Sequence, residues 1–167
     1  MKVYNSFEEL NNTAEYVVIG EFVEDATQEI KRTYDANLQM EVYDSGYSVN
    51  KFRITRVLKG DISEEYIYIR QSYAYDDLHK QMVCRSGLTP MTKGSSWIYF
   101  LDGYCPDDIY HPLSDYYGRY PNRYIDLDRL NAGGYLPEEM GVWKKSDFRN
   151  NIYKEMVEYY ELEFSEE

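Results

Sequence analysis

Both histidines follow pairs of aspartates. "DDLH" sets Asp76 and Asp77 ahead of His79, and "DDIYH" sets Asp107 and Asp108 ahead of His111. Imidazole nitrogens with nearby carboxylates form the ligand set of zinc and related divalent cations, so Asp76, His79, Asp108 and His111 are candidate metal ligands if the two stretches converge. The plainer reading is that both stretches are hydrated loops. Hydrolysis through a covalent intermediate needs a nucleophile, a base and an orienting acid. Cys84 or a serine near either histidine supplies part of that set, but no G-x-S-x-G, H-E-x-x-H or phosphate-cradling glycine loop occurs. "NAGGY" over 131–135 lacks the preceding strand and following helix of a nucleotide loop. No catalytic residue is assigned and no cofactor is expected.

Tyrosine is the more distinctive feature, at 20 of 167 residues. The segment "DGYCPDDIYHPLSDYYGRYPNRYIDL" gathers Tyr104, Tyr110, Tyr116, Tyr117, Tyr120 and Tyr124 among aspartates and arginines. Phenol rings give stiff contact area with a hydroxyl for orientation, which suits a sugar ring, a peptide or a protein partner. The competing reading is that these rings cover a core short of aliphatic side chains. Cys84 and Cys105 flank the stretch ending in "SSWIYFLDGY". They are a disulfide candidate in a secreted domain and idle thiols in the cytosol, and they lie too far apart for a Cys-x-x-Cys motif.

The elements that must position these residues fit one domain, since a single core serves roughly 100–200 residues. Thirty acidic against eighteen basic residues leave a net charge of -12, which opposes phosphate backbones and anionic lipid and excludes generic nucleic-acid binding. The same charge suits a basic partner or a cation. No apolar run is long enough to span a bilayer. The start "MKVYNSFEEL" carries no signal stretch, so export implies a leader removed ahead of Met1.

Ser6 and Glu9 have capping-box spacing and predict a helix over residues 6–13. "EYVVIGEFVE" sets Val17 and Ile19 against Val18 and Phe22, so both faces are apolar and a central strand follows, with Gly20 at a bulge or close approach. Residues 25–37 read as an exposed excursion with a brief helical turn. "LQMEVYD" and "SVNKFRITRVLKG" read as a hairpin turning at "DSGY". In "EEYIYIR", Ile67 and Ile69 face inward and Tyr66, Tyr68 and Arg70 outward. Ala74 to Gly94 reads as irregular, "SSWIYFLDG" as a buried strand, and 104–145 as loop with a final strand in "GRYPNRYIDL". Phe148, Ile152, Met156 and Tyr159 repeat at helical spacing and predict an amphipathic C-terminal helix over about 146–163. The expected fold is mainly β (α+β), one domain over 1–167. It comprises a five- or six-stranded barrel over about 14–127, a short N-terminal helix and the C-terminal helix.

The order of "AEYVVIGEFVE", "FRITRVLKGD", "EYIYIR" and "MTKGSSWIYFLD" resembles small Gram-positive surface proteins, often lipoproteins of unknown function. Their barrel is similar to the oligonucleotide/oligosaccharide-binding (OB) fold of netrin-like domains and tissue inhibitors of metalloproteinases. The matching positions are Ala14–Gly20, Val57–Gly60 and Gly94–Leu101. Those inhibitors chelate zinc through an N-terminal cysteine, and this chain has none before Cys84. The resemblance implies a non-enzymatic binding domain at the cell surface or outside the cell, with a protein or glycan partner. Two alternatives stand beside it: a cytoplasmic acidic protein that neutralises a basic partner, as an immunity protein or nucleic-acid mimic does, and a metal-dependent enzyme.

Overall fold

The capping-box spacing yields the helix it predicts. In the computed structural model, which describes residues 2–84, 88–103, 106–131, 137–142 and 147–164, helix α1 covers Phe7–Thr13. The Ser6 Oγ accepts from the Glu9 N–H at 3.2 Å. Glu9 Oε2 in turn accepts from the Asn5 N–H at 3.2 Å, one residue beyond the usual partner. At the other end of α1, the Lys59 ammonium donates to the carbonyls of Asn11 and Ala14, each at 2.6 Å. A cation at a helix C-terminus satisfies orphan carbonyls and opposes the dipole. The lysine of "VLKG" therefore ties a strand end to the helix, and Gly60, at φ +84°, supplies the left-handed residue that turns the chain after it.

The strands are β1 (Tyr16–Phe22), β2 (Thr27–Asp35), β3 (Met40–Lys59), β4 (Tyr66–Gln71), β5 (Tyr73–Asp76), β6 (Gln81–Cys84), β7 (Ser96–Leu101), β8 (Ile109–Tyr110) and β9 (Arg119–Pro121). Seven form one sheet in the order β8-β4-β3-β1-β7-β9, with β2 paired to the first part of β3, while β5 and β6 form a separate ribbon. Pairing is antiparallel except between β4 and β8. The chain is mainly β, with a curled half-barrel sheet and short helices.

Two cores lie on opposite faces of the sheet, and β1 feeds both. Val18 and Phe22 join Phe52, Ile67, Ile69, Trp97, Tyr99 and Leu101 on one face. Val17 and Ile19 join Ile98, Phe100 and the helices on the other. An apolar residue at nearly every position is thus what a strand covered on both faces requires. Gly20 sits at a register shift between β1 and β3, where a Cβ would collide with the Arg53 carbonyl and the Phe52 ring. The inward Ile67 and Ile69 and outward Tyr66 and Tyr68 follow the expected alternation.

Three expectations need correction. Residues 27–35 are a strand rather than a helical excursion, and "DSGY" lies inside the 20-residue β3. The chain reverses instead at 36–39, where Gln39 adopts φ 53°. Periodicity was silent here because this ribbon is wet on both faces over much of its length. The stretch from Ala74 is not wholly irregular, since β5 and β6 form a hairpin packed on the β2–β3 ribbon. Gly46 allows the approach: a Cβ there would lie 3.2 Å from the Ala74 Cβ. Finally, the C-terminal helix buries Ile152 and Met156 as expected, but its buried face is rotated away from Phe148 and Tyr159. Helices α2 (Leu127–Asn131) and α3 (Pro137–Met140) precede α4 (Asp147–Tyr159). Helix α4 turns Arg149, Ile152, Tyr153 and Met156 inward and leaves Phe148 and Tyr159 more than half exposed.

Arg149 takes its inward place because neutral oxygens receive it, the carbonyls of Arg119 and Met140, with the Tyr120 ring 4.3 Å from its Cζ. Arg119 is buried too, donating to Gln71 Oε1 and to the carbonyls of Thr89 and Gly141. Gln71 Oε1 also accepts from the Tyr99 hydroxyl at 2.8 Å, and Gln71 Nε2 donates to Asn50. A polar layer therefore joins Asn50, Gln71 and Tyr99 to Arg119 of β9.

Candidate functional site

The tyrosine segment divides by burial. Tyr116, Tyr117 and Tyr120 are core residues at 5%, 6% and 0% exposure, stacked with Tyr4, Phe100 and Tyr153. They are the rings that replace aliphatics, and they offer no gripping surface. Tyr110 is half-buried with its edge on Tyr16. Tyr124 is 70% exposed. Tyr104 and Cys105 lie outside the described residues, and so does the candidate pairing of Cys105 with Cys84, which is itself half-buried.

Tyr124 stands at the edge of a groove of about 810 Å³ between residues 124–128 and α4. Ile125, Tyr153, Val157 and Phe164 give it an apolar floor. The rim carries Asp126, Asp128, Asp147 and Glu158 against a single cation, Lys154, among the described lining residues. Local chemistry holds this shape. Asp126 Oδ1 accepts from the Arg129 N–H at 3.0 Å and so caps α2. The Tyr153 hydroxyl donates to the Arg123 carbonyl at 2.6 Å, pinning the segment to α4, and burial raises that hydroxyl's pKa. Helix α4 is itself anchored on α1: Glu155 accepts from the Phe7 N–H at 3.2 Å, and the Tyr160 hydroxyl donates to Asn11 at 2.6 Å. On the groove floor Asn150 is 7% exposed, and its Nδ2 has no acceptor among the described residues.

The candidate metal ligands do not come together. Asp76 and His79 meet at the tip of the β5–β6 hairpin, with His79 Nδ1 2.6 Å from Asp76 Oδ2. The other Asp76 oxygen accepts from Arg32 at 2.7 Å and from the Leu78 N–H at 3.1 Å. The Arg32 guanidinium, followed by His79, holds the Asp76 carboxyl down at about 2. Asp108 is exposed, in a turn with φ 58°. His111 is half-buried, and burial and the Arg70 guanidinium lower its pKa. Among the described residues no three His, Cys, Asp or Glu side chains form a metal-holding group. Asp76 is thus committed to a guanidinium and to the His79 imidazole.

Sequence reasoning named Tyr124, which lines this groove, but not the acidic rim or Asn150. The rim joins two segments some twenty residues apart, and only the docking of α4 brings them side by side. The available signal was local, in the Asp126-x-x-Arg129 cap at the end of the tyrosine segment. No helix among the described residues is long and apolar enough to cross a membrane. No family model matches the chain, and comparison with curated proteins gives no match.

Proposed function

We propose that the chain is a non-enzymatic interaction domain that holds a basic, amphipathic stretch of a partner protein in the Tyr124 groove. The observation that carries this is an apolar floor and an acidic rim in one groove. An amphipathic segment lays its apolar side on such a floor while its cations meet the carboxylates, and Tyr124 adds a face for a cation. The unsatisfied Asn150 amide favours a peptide further, because a main-chain carbonyl is the acceptor it lacks. The curled sheet is consistent with an OB-like barrel of the netrin-like kind. With that resemblance comes our reading of an exported or cell-surface domain, and a cytoplasmic neutraliser of a basic partner would use the same groove.

The test is fluorescence anisotropy with a labelled Lys/Leu amphipathic peptide and a scrambled control of equal charge. Binding of the amphipathic order is expected, weakened about tenfold in Tyr124→Ala, since exposed aromatic anchors at interfaces are worth roughly 1–2 kcal/mol. Equal binding of both peptides, or an unchanged affinity in Tyr124→Ala, would remove the groove as the site. Response to neutral oligosaccharides instead would make the partner a glycan.

A further inference from the structure

We propose a second ligand site, independent of the groove: the cleft beside β9 binds an oxyanion, a carboxylate or a phosphate. This cleft measures about 440 Å³, and the described residues around it include Thr89, Ser96, Trp97, Asn122 and Arg123 but no carboxylate. In a chain of net charge -12 a wall without acid is a marked departure from the average surface.

Two buried donors beside it lack acceptors among the described residues. Trp97, part of the wall, is 6% exposed and its Nε1 has no partner; Arg119 is 1% exposed and its Nε has none. Arg119 is not part of the wall but contacts two residues that are, Thr89 and Trp97. Its Nη2 donates to the Thr89 carbonyl at 2.6 Å and to the Thr89 hydroxyl at 3.3 Å, and its ring neighbour is Trp97, 5.4 Å from Cζ. All of its acceptors among the described residues are neutral oxygens: Gln71, Thr89 and Gly141. A guanidinium taken out of water without a counter-charge is costly, and an anion a few ångströms away in partly desolvated surroundings offsets that cost. Arg123, exposed at the mouth, has no carboxylate partner among the described residues and supplies the charged fork that oxyanions favour. Two of the hydroxyls are already engaged: Ser96 Oγ donates to the Gly20 carbonyl at 3.0 Å and accepts from Asn122 at 2.9 Å, and Ser95 Oγ donates to the Thr92 carbonyl at 2.6 Å. The charged donor of the wall is the Arg123 guanidinium, with the Trp97 indole beside it, and a cation without a described acid around it suits an anion better than a neutral sugar.

The experiment is a proton–nitrogen correlation titration of the full chain with inorganic phosphate, against sodium chloride at matched ionic strength. It follows the Trp97 indole signal. The chain has two tryptophans, and Trp143→Phe assigns the signals. A saturable shift at millimolar phosphate is expected, with the midpoint weakened about tenfold in Arg123→Gln and partly restored in Arg123→Lys. A thermal melt confirms that each variant is folded. Acetate run in parallel separates the two chemistries, and a saturable response to either upholds an oxyanion site. No saturable shift with either anion, an unchanged midpoint in Arg123→Gln, or an equal response to glucose overturns it.

Discussion

Residues 121–128 wall two clefts of opposite character. Pro121, Asn122 and Arg123 border one that holds no described carboxylate, and Tyr124 to Asp128 border one rimmed by four. The change falls between two adjacent residues, at the point where the Tyr153 hydroxyl grips the Arg123 carbonyl. The clefts also differ in how their charge is held. Beneath the first, a guanidinium is built into the core and tied by carbonyls that cannot move away from it. Around the second, carboxylates stand in water on exposed side chains. Net charge describes neither. A buried charge is part of the fold and a rim charge is available to a ligand, so substitutions in the two places should register in different measurements.

The largest effect is expected at Arg119. Arg119→Met takes the guanidinium from the Thr89 carbonyl and one of two donors each from Gln71 Oε1 and the Gly141 carbonyl, and losing these buried hydrogen bonds together costs about 3–5 kcal/mol. At this chain length that corresponds to a fall in Tm of about 6–20 °C, read by thermal denaturation. Asp126→Asn together with Asp128→Asn should change stability by less than about 0.5 kcal/mol, as exposed substitutions do. Equal losses in the two variants would erase the distinction between built-in and available charge.

The double neutralisation should instead act on binding. It is expected to lower affinity for the basic amphipathic peptide and flatten its dependence on salt, because exposed charges are the ones that ions screen. It should leave the phosphate midpoint of the Trp97 indole within about twofold, as distant sites are usually additive. A larger shift would show that the two clefts are one coupled site.

What could be read from the sequence follows from how each segment meets water. In β1, β4 and β7 the identity of nearly every residue is decided by the core it faces, so Val17, Ile67 and Phe100 sit where their types require. Strands β2 and the first half of β3 are an exposed ribbon with Tyr34, Leu38 and Met40 in solvent, and no alternation records their pairing. In α4 the apolar stripe misled because this core accepts a guanidinium. Arg149 goes inward on carbonyls and aromatic rings, while Phe148, one residue earlier, is left outside. The tyrosines were ambiguous for a related reason: a ring with a hydroxyl serves a core or a surface equally well until its neighbours are known. The groove was the least legible part, since its floor and rim exist only once α4 has docked.

The smallest expected effect concerns a carboxylate that already has its partners, a reference for those on the rim. Asp76 is held by Arg32 and His79, so its folded pKa, about 2, lies below the ordinary 3.8. A depressed folded pKa means that the ionised form favours the native state. This contribution is complete above about pH 4 and lost as pH falls toward 2. Asp76→Asn should therefore be less stable than the wild type in urea at pH 7, with the gap closing as the pH drops through that window. Arg32→Gln removes the larger cause of the depression, so its acid loss should begin at a higher pH than in the wild type. The effect is modest because Arg32 is partly in water and shares its charge with the exposed Asp77. A urea midpoint gap equal at pH 7 and pH 2 would mean that Asp76 acts through contacts that do not depend on its charge and that the amide cannot make. The ion pair would then contribute nothing, and Asp76 would cease to differ in kind from the carboxylates of the groove.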